Sequence, residues 1–147
     1  MRSYTPPRYR VMLVKESGAH AGDVRISDSQ KAHRFLAPLF DGLDREHFMV
    51  IGLDAKHAVI GINTVSIGSV TMSIVHPREV FKPLILMNAS AVILAHNHPS
   101  GDATPSQEDR ALTRRLKDGS ELLGITVLDH VVLGEDRYYS FADHQEL

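Results

Sequence analysis

A chain of 147 residues, 43% of them hydrophobic and 23% charged, has the material for one ordinary globular core without covalent staples. Its formal charge of -2 gives no electrostatic footing for nucleic acid or an anionic membrane. The absence of cysteine excludes disulfides, thiol nucleophiles, iron–sulfur clusters and thiolate zinc sites. No apolar run approaches the roughly 18 residues of a membrane span, and the first residues lack a signal-peptide core, so a cytoplasmic protein is expected.

In chain order, residues 1–26 read as an N-terminal strand and loop, and 27–147 as the body of a single domain. The alternation of Tyr9, Val11 and Leu13 predicts a strand over Tyr9 to Lys15, followed by a turn-rich loop from Ser17 to Asp23. A helix is expected from Ser27, with Gln30 completing a capping box. Its apolar stripe is Ala32, Phe35, Leu36, Leu39 and Phe40, and Pro38 should end or kink its last turn. Glu46 precedes Phe48 to Asp54, a short apolar run that reads as a buried strand, with a partner over Ala58 to Ser66. Alternation from Val70 to Val75 suggests a third strand, and the short turns between these segments suggest an antiparallel meander. A second helix is expected over His76 to Ala91, with Pro77 harmless in its first turn and Pro83 uncomfortable in its middle.

Ala91 to Ala95 is an uninterrupted apolar run, expected as a central strand. His96 and His98 come off its end; at this spacing in extended chain both imidazoles face one side and Asn97 the other. A Pro/Gly turn follows. Thr104 should then cap a helix that has Pro105 at its first position, Gln107 in a capping box, and Gly119 as its stop. Ser106 and Asp109 share one face of it, and Asp109 continues the stripe of Leu112 and Leu116. A carboxylate on a buried stripe is costly unless it is paired or binds a metal. Two imidazoles and that carboxylate are a common protein complement of a catalytic zinc site with an open fourth position. Arg114, Arg115 and Lys117 share the helix with acids and read as a solvated face. Ile125 to Leu133 and Tyr138 to Phe141 close the chain as two strands.

The pattern His96-x-His98, seven residues, Ser106, two residues, Asp109 matches in spacing the signature of the JAMM (MPN-plus) metalloproteases. The segments REHFMVIGLDAKH, HPREVFK, NASAVILAHNHPSGDATPSQED, LTRRL and LDHVVLGEDRYYSF resemble the RadC branch of that superfamily. The resemblance implies an α/β fold of α+β type in three layers: a mixed, largely antiparallel, curved sheet flanked by helices, the JAB/MPN (cytidine-deaminase-like) architecture. It further implies one zinc ion held by His96, His98 and Asp109, with Glu46 as general base and Ser106 stabilising the oxyanion of a cleaved amide or isopeptide bond. A peptide or protein substrate follows from that chemistry. On residues alone, Glu79 or Glu108 competes with Glu46 for the role of base. Asp129 and His130 match the family as structural or supporting residues, Asp102 reads as a turn former, and Arg78 could steady the site or only the fold. Both ligand histidines need partners on their second ring nitrogens, expected to be carbonyls or carboxylates.

A nuclease reading of the letters His-Asn-His fails, because the three residues that name that family are far apart in sequence. Zinc nucleobase deaminases need paired cysteines, which this chain lacks. The rival from a different class is a metal-bearing, non-hydrolytic module that binds a partner in DNA repair or recombination. Longer RadC relatives carry an N-terminal helix-hairpin-helix domain for which this chain has no room, so direct nucleic-acid binding is not expected. Oligomeric state stays open, a homodimer included.

Overall fold

Five strands form one sheet in the order β2-β1-β3-β4-β5 in a computed structural model that describes residues 1, 3–18, 24–68 and 74–147. The elements run α1 (Ser29–Phe40), β1 (His47–Leu53), β2 (Val59–Ile67), α2 (Pro77–Leu86), β3 (Ala91–Asn97), α3 (Gln107–Leu123), β4 (Thr126–Leu133) and β5 (Tyr138–Ser140). β1 and β2 form an antiparallel hairpin, whose turn is fastened by Asp54 Oδ1 accepting from the N–H groups of Lys56 and Ala58. β3 lies antiparallel to β1 but parallel to β4, a pairing that requires the α3 crossover.

The apolar runs of β1 and β3 are uninterrupted because both faces of the sheet are covered. Met49, Ile51, Leu53, Ile93 and Ala95 pack with Leu36 and Phe40 of α1 on one face. The alternate residues Phe48, Val50, Val92 and Leu94 pack with Val80, Phe81 and Leu84 of α2 and Leu116 of α3 on the other. The result is the expected three-layer α/β fold with a mixed sheet. His96 continues the Val92–Leu94 series and so emerges on the α3 side.

Several local expectations are corrected. The strand over Tyr9 to Lys15 does not form; the segment carries no regular structure and its apolar side chains are exposed, so alternation alone had no sheet edge to complete it. Among the described residues of the N-terminal segment, Arg25 alone bridges to the sheet, at Ala58 beside β2. The cap of α1 is Asp28, whose side chain accepts from Lys31 N–H, rather than Ser27 with Gln30. α2 ends at Leu86, well short of Ala91, and retains Pro83 inside it. α3 starts after Ser106 rather than Thr104 and runs through Gly119 to a left-handed Gly124 at φ 70°. Gly119 is a packing residue: a Cβ there would lie 3.1 Å from the Phe81 ring. Of the strand expected over 70–75, Val70 to Ser73 lie outside the described residues, as does most of the loop at Ser17 to Asp23, while Ile74 and Val75 belong to no strand.

Candidate metal centre

Three side chains converge where β3 ends and α3 begins. His96 Nε2 lies 3.1 Å from His98 Nε2 and 3.3 Å from Asp109 Oδ1, and His98 Nε2 lies 3.1 Å from Asp109 Oδ2. Zinc in tetrahedral coordination, with ligands about 2.0–2.1 Å away, keeps those ligands about 3.3 Å apart. The three side chains therefore fit a single small cation, and among the described residues they form a group that could hold a metal ion.

Local chemistry puts Asp109 there. Ser106 is the N-cap of α3: its hydroxyl oxygen accepts from Asp109 N–H at 3.0 Å, while Asp109 Oδ2 accepts from Ser106 N–H at 2.9 Å. This reciprocal box satisfies two helix-end donors and turns the carboxylate back toward the histidines. Burial pushes the Asp109 carboxyl up, but hydrogen bonds to His96 and His98 outweigh it and hold it well below the usual carboxylate range. Burial pulls His98 down, yet its bonds to Asp109 and to the Asp102 carbonyl, with the charges of Asp109 and Glu46, leave it above the ordinary imidazole value.

The partners behind the rings decide which nitrogens face the centre. The Thr113 hydroxyl donates to the Asp109 carbonyl at 2.7 Å, so its oxygen accepts from His130 Nδ1–H, also at 2.7 Å. His130 is thereby left with an acceptor at Nε2, 2.8 Å from His96 Nδ1, and His96 must donate there. When His96 gives up the Nε2 proton that it shares with Asp109, the proton left on the ring is therefore the one on Nδ1, and the Nε2 lone pair is turned to the site. His98 reaches the same state more simply, with Nδ1 donating to the Asp102 carbonyl at 2.7 Å. The expectation of carbonyls or carboxylates behind both rings thus holds for His98 and fails for His96, whose partner is another imidazole. His130 is fully buried, which drives its pKa well below the usual value and keeps it neutral, as this relay requires.

The remaining residues separate clearly. Glu46 is buried at the entry to β1, near enough for its charge to act on His98. Glu79 and Arg78 are exposed and face each other at 3.9 Å, and Glu108 is exposed on α3. Asp102 behaves as a turn former, accepting from Thr104 N–H. Asp129 accepts from Ser140 Oγ, Ala142 N–H and His130 N–H, which fastens β4 to the C-terminal turn. A cleft of about 520 Å³ opens beside His98, with Phe40, Leu43, Pro99 and Leu133 in its wall. Sequence reasoning missed Thr113 and the specific task of His130. Thr113 had a signal: it lies one turn after Asp109, a buried polar residue on the stripe that ends in Leu116.

The RadC-like JAB domain model matches residues 26–146. The chain belongs to the RadC-like JAB domain family. It is 57% identical over 101 residues to a UPF0758 protein of Desulfitobacterium hafniense, covering 69% of this chain and 44% of that protein. A UPF0758 protein of Symbiobacterium thermophilum is 50% identical over 130 residues, covering 88% and 56% respectively. One from Thermotoga maritima is 46% identical over 123 residues, covering 84% and 55%. The chain spans about half the length of the curated relatives it matches. Among the described residues of this JAB domain, no helix is long and apolar enough to cross a membrane.

Proposed function

We propose that the chain is a zinc-dependent hydrolase of an amide or isopeptide bond in a peptide or protein substrate. The observation that carries this reading is the convergence of His96, His98 and Asp109 at 3.1–3.3 Å, with the outer nitrogens of both rings already committed. A two-imidazole, one-carboxylate donor set without thiolate suits a catalytic zinc with an open position. Zinc bound there supplies Lewis acidity that makes water available as a nucleophile near neutral pH.

The chain's own residues supply the rest. Glu46 accepts the proton of the attacking water as the new C–O bond forms, then delivers it to the leaving nitrogen as the C–N bond breaks, so its charge is restored. Ser106 spends its oxygen lone pair on Asp109 N–H, which keeps its hydroxyl proton available to donate to the developing oxyanion.

Protein purified without added metal should contain about one zinc per chain, lost in His96→Ala and Asp109→Ala. Chelation should lower the melting temperature of the wild type and leave that of Asp109→Ala unmoved. A peptide and isopeptide library is then screened against wild type and Glu46→Gln. Cleavage by wild type alone supports the proposal. Retained metal without cleavage of any amide would favour the partner-binding module instead.

A further inference from the structure

We infer that Asn97, the residue between the two histidines, is the positioning residue that sets Glu46 against them. The β1–β3 ladder ends at the pair Phe48–His96, while β1 goes on pairing with β2 as far as His47–Ile67. Where the backbone ladder to β3 stops, the Asn97 side-chain amide takes its place. Its Oδ1 accepts from His47 N–H at 2.7 Å and its Nδ2 donates to the Arg45 carbonyl at 3.1 Å. Those peptide groups stand on either side of Glu46. From the opposite strand, Gly68 N–H donates to the Glu46 carbonyl at 2.8 Å. The backbone around Glu46 is therefore held from both neighbours, and on the β3 side by the residue that separates the ligands. A carboxylate in place of Asn97 would offer no donor to Arg45, and an alkyl chain would offer neither bond. With Asn97 buried, water cannot readily replace what it supplies.

The consequence for catalysis rests on the hydrolase reading above, but the tether can be measured without turnover. In protein loaded with Co²⁺ alone, the paramagnetic shift of the Glu46 carboxyl carbon reports its position relative to the ion. Asn97→Ala should shrink or split that shift while the His96 and His98 ring signals and the metal stoichiometry stay as in wild type. Asn97→Asp, which keeps the acceptor for His47 and loses the donor, should fall between and guards against a folding defect in the alanine variant. An unchanged Glu46 signal in Asn97→Ala, or loss of the metal from it, would overturn the inference. With a cleaved substrate in hand, Asn97→Ala should lower kcat about 100-fold with KM little changed. Added to Glu46→Gln, it should cost nothing further, because the residue it acts through is already disabled. A further drop in the double variant would point to a general structural role and overturn the assignment. A wild type that hydrolyses nothing yet shows the cobalt result would remove the hydrolase reading and support the tether.

Discussion

His130 Nε2 stands 2.8 Å from His96 Nδ1, so a histidine outside the donor group fixes which nitrogen of His96 is offered to a metal. The relay continues through Thr113 to the Asp109 carbonyl, which joins the carboxylate's own helix to the ring opposite it. His130→Phe fits the aromatic surroundings of Phe48 and Phe141 but removes the acceptor, leaving the His96 tautomer unspecified. Metal affinity should fall about 10–100-fold, and His130→Gln, which restores an acceptor, should recover part of it. Competition with a chromophoric chelator measures this, and an unaltered affinity in His130→Phe would refute the relay. Thr113→Val keeps the shape but leaves buried His130 Nδ1–H without a partner, at a cost of about 1–3 kcal/mol in urea unfolding.

Much of this was legible because the signals were local. The spacing of His96, His98, Ser106 and Asp109, and the apolar runs of β1 and β3, follow from strand and helix periods that sequence displays directly. What stayed hidden depends on contacts between segments distant in the chain. Tyr9 to Lys15 alternates like a strand yet finds no neighbour, whereas His130 looks like one core residue of β4 until its register with β3 sets it behind His96. The start of α3 differs from expectation for a local reason. Thr104-Pro105 satisfies the rules for a helix start, but Ser106 wins because Asp109 completes a reciprocal box with it.

Asp129 gives a pH signature away from the metal ligands. Burial raises its pKa above 3.8, hydrogen bonds from Ser140, Ala142 and His130 offset part of the rise, and Asp143 adds to it. Above pH 3.8 the unfolded chain releases this proton while the folded chain retains it. The contribution to stability is thus fully present below 3.8 and is lost as pH rises through the higher folded value, by at most about 1.4 kcal/mol per pH unit. Asp129→Asn removes that slope. Relative to wild type, its urea midpoint should climb with pH across this window and then level off. Parallel wild-type and variant curves would show that Asp129 titrates as it does in the unfolded chain.

Ser106 carries two tasks that one substitution can separate. As N-cap of α3 it contributes its hydroxyl oxygen to Asp109 N–H, and in the proposed reaction it donates its proton to the oxyanion. Ser106→Ala should lose both, about 1 kcal/mol of stability and about 10²–10³ in kcat. Glycine at an N-cap costs only a few tenths of a kcal/mol relative to serine, since water reaches the exposed helix end. Ser106→Gly should therefore unfold near the wild-type midpoint, bind metal with wild-type stoichiometry, and still be as slow as the alanine variant. Activity that recovers along with stability in Ser106→Gly would reduce Ser106 to a cap and leave the oxyanion without its proposed donor.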